Sequence, residues 1–308
     1  MTNASAPGKI ILFGEHAVVY GRPALAIPVT QVRAQVNVSD AMQPGIWIDA
    51  PDIGLRAELD SLPPDNPLGS AILNLFSRLS LSPLPPLTIR ITSTIPPASG
   101  LGSGAAVTVA LLRALSTHIG HSLTDQEINA AAFEIEKLHH GTPSGIDNTV
   151  VTYARPVYFR RGQPIKTFTA GAPFTIVIGD TGKVAPTKES VGDVRKLWET
   201  DKEKWERTFD KIGKIVNQAR EKIEKGKMKE LGALMDQNHV LLHELTVSSP
   251  ELDTLVEAAR GAGALGAKLS GGGRGGNMIA LVEKGKAETV ASALVSAKAK
   301  MTIITEVN

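Results

Sequence analysis

Three separated stretches of the chain carry side chains able to do chemistry. In "SAPGKIILFGEHAVVYG", residues 5–21, a short apolar run delivers Lys9, Glu15 and His16 around a glycine-bounded turn. In "STIPPASGLGSGAAVTVALLRAL", residues 93–115, two prolines end a strand, a small-residue loop follows, and a helical pattern opens with Val107, Leu111, Leu112 and Leu115. Glycines at 100, 102 and 104 allow positive φ and close approach, so successive N–H groups can converge on an anion while the helix N-terminus adds partial positive charge. Taken alone, the same cluster reads equally as a flexible hinge before a core helix. In "AAFEIEKLHHGTPSGIDN", residues 131–148, Glu136 lies near the end of a helix, His139, His140 and Gly141 break it, and a turn presents Asp147 at the start of a new segment. Adjacent histidines with no second pair at ligand spacing read as loop or packing residues rather than metal ligands. Beside a phosphate loop, one carboxylate for Mg²⁺ and another for proton abstraction are what phosphoryl transfer to an alcohol requires.

Two familiar phosphate motifs do not fit. The string G-x-x-x-x-G-K-[ST] is absent, which argues against a P-loop NTPase. "GLGSGA" matches the loose dinucleotide pattern G-x-G-x-x-A, but Asp125, the acidic residue some twenty positions on, starts a helix rather than ending a strand, and "GGGRGG" at 271–276 leads into a strand.

The elements that must position these residues change character near residue 180. Before it, β-type runs at 10–13, 25–38, 87–94 and 156–159 alternate with helical patterns at 68–79, 105–119 and 125–138, the last opened by a Thr124/Glu127 capping box. After it, residues 188–244 are almost free of strand signals. Interleaved basic and acidic residues there read as solvated helix faces, not a nucleic-acid surface. Ser249 with Pro250 opens a further helix. The tail then runs strand, glycine loop, strand, helix, strand, a pattern of helices against an antiparallel sheet in an α+β fold.

Composition bounds the rest. A chain of 308 residues, 42% hydrophobic, is long enough for two lobes with proper cores. Its 33 basic and 31 acidic residues leave a net charge of +2, which gives no global reason to hold nucleic acid or an anionic membrane. With no cysteine there is no disulfide or thiolate metal site. No signal-peptide pattern opens the chain and no apolar stretch approaches bilayer length, so a soluble, cytoplasmic protein is expected.

The segments APGK…GEHAVVYG, PPASGLGSGAA and KLSGGGRGGNMIAL, in this order, resemble the three sequence motifs of the GHMP kinase superfamily, and "APGKIILFGEHAVVYG" together with "HHGTPSGIDN" is similar to its mevalonate kinase branch. The resemblance implies a two-lobe α+β fold: an N-terminal lobe, residues 1–180, with a mixed sheet and helices like ribosomal protein S5 domain 2, and a C-terminal lobe, 181–308, with a ferredoxin-like, helix-covered antiparallel sheet. It implies ATP-dependent phosphorylation of mevalonate on its C5 hydroxyl, with ATP and Mg²⁺ as cofactors, no nucleic-acid or membrane partner, and room for a homodimer. By the same resemblance Asp147 is the base and Lys9 its partner, which keeps it ionised and neutralises charge on the transferred group. The loop Pro97, Ala98, Ser99, Gly100, Leu101, Gly102, Ser103 and Gly104 wraps the phosphates, and Glu136, with Ser103, binds the metal. Glu15 and His16 stand at the substrate end with Lys9 and Asp147, with Ser144 and Thr187 as secondary polar contacts. Glycines 271–273 close the site, with Arg274 as a candidate anion contact.

One place departs from the superfamily. Its phosphate loop commonly reads Gly-Leu-Gly-Ser-Ser-Ala, and here the second serine, whose hydroxyl approaches Mg²⁺, is Gly104. Two other readings stay open: a related GHMP kinase acting on phosphomevalonate or a sugar, and a non-catalytic binding member. A binder has no need of Lys9, Glu136 and Asp147 together.

Overall fold

The computed structural model describes residues 1–96, 99–140, 143–164, 166–184 and 187–308, the side chains of His139 and His140 excepted. Two members of the expected phosphate loop, Pro97 and Ala98, therefore lie outside the described residues. The chain folds into two compact units that interleave in sequence. One comprises Met1–Lys9, Val32–Pro97 and Gly102–Ala154, and the other Ile10–Gln31, Ala98–Leu101 and Arg155–Asn308. A division that the sequence suggests at one position is thus spread over several crossings, two of them within long strands.

The first unit takes the start of β1 (Thr2–Phe13) and the end of β2 (Ala24–Asp40), then β3 (Ile46–Ala50), β4 (Leu55–Glu58), α1 (Pro67–Arg78), β5 (Leu87–Ser93), α2 (Ser103–His118), α3 (Asp125–His140) and α4 (Ile146–Tyr153). Along β2, Val32, Ala34, Val36 and Val38 are buried while Arg33 and Gln35 are exposed, the period-two signature of a strand with one face on a core. It pairs antiparallel with β5, Val36 opposite Ile91. β3 pairs parallel with β5 and antiparallel with β4, so the sheet is mixed, as expected. The core helix is α2. It buries Ala105, Ala106, Val109, Leu111, Leu112 and Leu115, more than one stripe, because α1, α3, α4 and β5 all pack on it. The Thr124/Glu127 capping box holds α3 by reciprocal hydrogen bonds: the Thr124 N–H donates to Glu127 Oε2 at 2.8 Å and the Glu127 N–H to Thr124 Oγ1 at 3.3 Å.

The second unit begins with the rest of β1 and a short 3₁₀ turn, Ala17–Tyr20, and takes the start of β2, which pairs with β6 (Val157–Phe159) and, through it, β7 (Lys166–Thr167). It continues with β8 (Phe174–Asp180), α5 (Thr187–Thr200), α6 (Lys202–Glu224), α7 (Met228–Glu244), α8 (Pro250–Gly261), β9 (Gly266–Ser270), β10 (Asn277–Val282), α9 (Ala287–Ser296) and β11 (Met301–Val307). Its sheet is antiparallel in the order β11-β8-β10-β9. The inner strands β8 and β10 are buried at every position.

The charged run reads as the sequence suggests. α6 buries Trp205, Phe209, Ile212, Val216, Ala219 and Ile223 along one stripe, and its charges pair along the helix, among them Arg220 with Glu224 at 2.8 Å and Lys225 with Glu221 at 2.7 Å. Ser249 caps α8 by accepting from Leu252 N–H at 3.3 Å, with Pro250 at the first position. Among the described residues no helix is long and apolar enough to cross a membrane.

Candidate active site

In the first unit β1 delivers Lys9 into the protein. Its side chain is 7% exposed and its Nζ lies 3.1 Å from Asp147 Oδ1, whose side chain is 36% exposed. A desolvated ammonium thus faces a carboxylate that keeps one open side. Asp147 is the second residue of α4, where the free N–H groups and the helix dipole favour negative charge. The turn that aims it is fixed locally. Ser144 Oγ accepts from the Ile146 N–H at 3.3 Å, and Thr149 Oγ1 donates to the Gly145 carbonyl at 2.6 Å. Ser144, expected as a polar contact of substrate, thus also braces the turn before α4.

Glu136, in the last turns of α3, belongs to the same electrostatic group. Burial first, and then the charge of Asp147, push its carboxyl up to about 8, with Lys9 pulling the other way. The raised value means that Glu136 keeps its proton near neutral pH unless a further positive charge is brought beside it and Asp147. Among the described residues no cluster of three or more His, Asp or Glu is built to hold a metal by itself. A hard cation that keeps several waters and shares substrate phosphates needs only one or two protein carboxylates, and that requirement fits this donor set.

The phosphate loop is anchored before its helix begins. Leu101 and Ser99 are buried, and Asn277 Nδ2 donates to the Ser99 carbonyl. Gly102 has φ 74°, and a Cβ there would stand 2.9 Å from Lys9 Cγ, so only glycine lets the loop pass the lysine. Gly100 is also at positive φ, 79°, whereas Gly104 is not; it lies inside the first turn of α2 with open space where a side chain would be. Of the three glycines that allow a positive φ, two use it, because helix α2 starts at Ser103. Ser103 and Gly104 thus stand in its first turn, where backbone N–H groups have no helical partner.

In the second unit Glu15 and His16 lie in the turn after β1, and both are buried. Lys268, in β9, donates to Glu15 Oε1, and both side chains of this pair are fully buried. Glu15, expected at the substrate end, thus has an internal partner, Lys268, that no sequence motif marks. In "GALGAKLS" a lysine within an apolar strand gives no signal until its partner, 253 positions earlier, is known. His16 takes φ 59°, and its Nε2 lies 3.1 Å from the Gly272 carbonyl. Burial lowers its pKa to about 4; the Gly272 carbonyl opposes this, and Arg274 and Lys268 add to it. The ring is therefore neutral at pH 7.

Thr187 opens α5. Its Oγ1 is 2.7 Å from where a Cβ on Gly272 would be, so this glycine serves close packing of the third motif against the helix. Arg274 corrects another expectation. Its guanidinium is 2.5 Å from Asp193 and its Nε donates to the Thr246 carbonyl, so it is engaged within the protein rather than presented to an anion.

The chain is similar to proteins of one known family. The family model of the GHMP kinases N terminal domain matches residues 66–155, and that of the GHMP kinases C terminal matches 219–300. A mevalonate kinase of Pyrococcus horikoshii is 40% identical over 313 residues, covering 94% of this chain and 91% of that protein. A mevalonate kinase of Saccharolobus solfataricus is 35% identical, covering 91% and 90%. Among solved structures, the L. major mevalonate kinase in complex with R-mevalonate superposes with a TM-score of 0.85 at 33% identity, covering 100% of this chain and 96% of that one.

Proposed function

The chain belongs to the GHMP kinases and, within them, to the mevalonate kinase family, and on that premise we propose that it transfers the γ-phosphoryl group of ATP to the C5 hydroxyl of mevalonate, giving 5-phosphomevalonate and ADP. The observation that carries the reading is the Lys9–Asp147 pair, a buried ammonium 3.1 Å from a partly open carboxylate at a helix N-terminus.

The chemistry follows from what these groups can do. Asp147 takes the proton of the C5 hydroxyl as that oxygen forms its bond to the γ-phosphorus and the bond from phosphorus to the β,γ-bridging oxygen of ATP breaks. Lys9, desolvated and 3.1 Å from Asp147, stabilises negative charge that develops on the equatorial oxygens. The N–H groups that open α2 and the backbone of Ser99 to Gly104 hold the phosphates, and Leu101 anchors that loop. Glu136, with the Ser103 hydroxyl, would hold Mg²⁺. Bound there, the ion would supply positive charge that lets Glu136 ionise beside Asp147 and would offset negative charge on the phosphates of ATP.

The test is ADP release by the purified protein with Mg-ATP and, in turn, mevalonate, phosphomevalonate, galactose and homoserine. Turnover with mevalonate above the other three supports the proposal, and turnover with one of the others in its place overturns it.

A further inference from the structure

Three alternate residues of the third motif grip the first. Lys268 donates to Glu15 Oε1 and, at 2.6 Å, to the Leu269 carbonyl. Ser270 Oγ donates to the Ile11 carbonyl at 2.7 Å. The Gly272 carbonyl faces His16 Nε2 at 3.1 Å. Positions 268, 270 and 272 follow the period of an extended strand, so one face of β9 and its continuation is dedicated to the segment that ends in the Glu15–His16 turn.

Two features of that turn call for such a grip. His16 is a branched, non-glycine residue at φ 59°, a conformation that persists only where its surroundings impose it. Its ring is also held in one tautomer. A carbonyl oxygen can only accept, so Nε2 carries the hydrogen, and in the neutral ring Nδ1 is a bare acceptor. That atom is buried and has no hydrogen-bond partner among the described residues. A buried acceptor without a partner is costly unless a ligand satisfies it, and the complementary group is a hydroxyl, which the alcohol substrate has and a carboxylate does not. A buried ion pair such as Lys268–Glu15 is a weak source of stability compared with apolar packing, which directs attention to what it fixes in place.

We infer that Lys268 is a positioning residue: its buried ion pair with Glu15 sets the Glu15–His16 turn so that the His16 ring donates from Nε2 to Gly272 and offers Nδ1 to a hydroxyl of the substrate. The inference rests on the proposed function for the identity of that substrate, but not for the state of the ring.

The experiment therefore has two readouts. Lys268→Met removes the charge; if it does not fold, Glu15→Gln/Lys268→Met removes both charges and leaves no buried ion unpaired. The ¹⁵N ring resonances of His16, assigned by their loss in His16→Asn, report the tautomer, and steady-state kinetics report KM for mevalonate and for ATP separately. The wild type is expected to show a single Nε2–H tautomer. The folded charge-free variant is expected to show mixed tautomers or a protonated ring, with KM for mevalonate raised at least ~10-fold and KM for ATP within twofold. A folded variant with the wild-type tautomer and wild-type KM overturns the inference, as does a parallel rise of both KM values. Should the wild type fail to phosphorylate mevalonate, the proposed function falls, while the ring resonances still decide whether Lys268 sets the turn.

Discussion

Gly102 and Gly104 stand two residues apart in one loop and make opposite demands. At Gly102 a methyl group would meet Lys9 Cγ at 2.9 Å and force a left-handed backbone, so Gly102→Ala is expected to displace the lysine and lower kcat at least ~10-fold. At Gly104 the φ is ordinary and the space open, so Gly104→Ser, which restores the commoner loop, is expected to keep kcat near the wild type and to need no more Mg²⁺ for half-maximal rate. Steady-state rates across a Mg²⁺ titration separate the two, and equal losses would contradict the account. In the same titration Glu136→Gln is expected to raise the Mg²⁺ requirement and depress kcat strongly, and Ser103→Ala to do less, since water replaces a hydroxyl ligand more readily than a carboxylate. A Glu136→Gln enzyme that titrates like the wild type would remove Glu136 from the metal's donors. At this scale the sequence was legible where a residue type is tied to a local motif. Lys9, Glu136 and Asp147 could be singled out because each lies in a short sequence motif punctuated by glycines. Lys268 could not, and the ion pair of Arg274 was not foreseen, because their partners Glu15 and Asp193 come from distant segments and only the fold brings them near.

Elements with strong periodicity were readable, and short ones were not. The tail from β9 to β11 and the amphipathic α6 follow directly from their patterns. By contrast β3, β4 and α4, at 5, 4 and 8 residues, are too brief for a period to register, and their existence depends on neighbours such as β5 for β3 and α2 for α4. The pairing of elements also carries a pH signature. β9 stands against two neutral imidazoles, His16 through Gly272 and His239 of α7, whose Nδ1 accepts from the Leu269 N–H at 3.4 Å. Burial lowers both pKa values to about 4. Above pH 6.5 both rings are neutral folded or unfolded. As pH falls from 6.5 towards 4, only the unfolded chain takes up these protons, so stability is lost by up to ~1.4 kcal/mol per pH unit for each ring. Glu136, whose pKa is raised, contributes in the opposite direction between 8 and 4.5, since there the folded protein holds the extra proton. The difference between variants isolates the imidazoles. Urea unfolding of the wild type and His239→Gln at pH 7, 6 and 5 should give a shallower loss of stability in the variant, and an unchanged slope would contradict the assignment.

At the scale of the whole molecule, the distribution of charge bears on which substrate is preferred. The chain is nearly neutral overall, with 33 basic against 31 acidic residues, and many of the cations are engaged in pairs such as Arg22 with Asp210 and Arg260 with Asp236. Of the adjacent pair Arg160 and Arg161, the former donates to the Gly21 carbonyl at 2.8 Å. A substrate bearing its own phosphate needs a dedicated basic cluster. The expected outcome is a kcat/KM at least tenfold higher for mevalonate than for phosphomevalonate, about 1.4 kcal/mol in transition-state binding, and a measured preference for the phosphorylated alcohol would refute it. All of this depends on Asp147 acting as the base beside Lys9, and the most direct measurement is kcat for mevalonate phosphorylation by Asp147→Asn, with the dissociation constant for ATP determined on the same sample. The account predicts a loss of about 10²–10⁴-fold in kcat with nucleotide affinity retained; a variant that turns over mevalonate at the wild-type rate would contradict it.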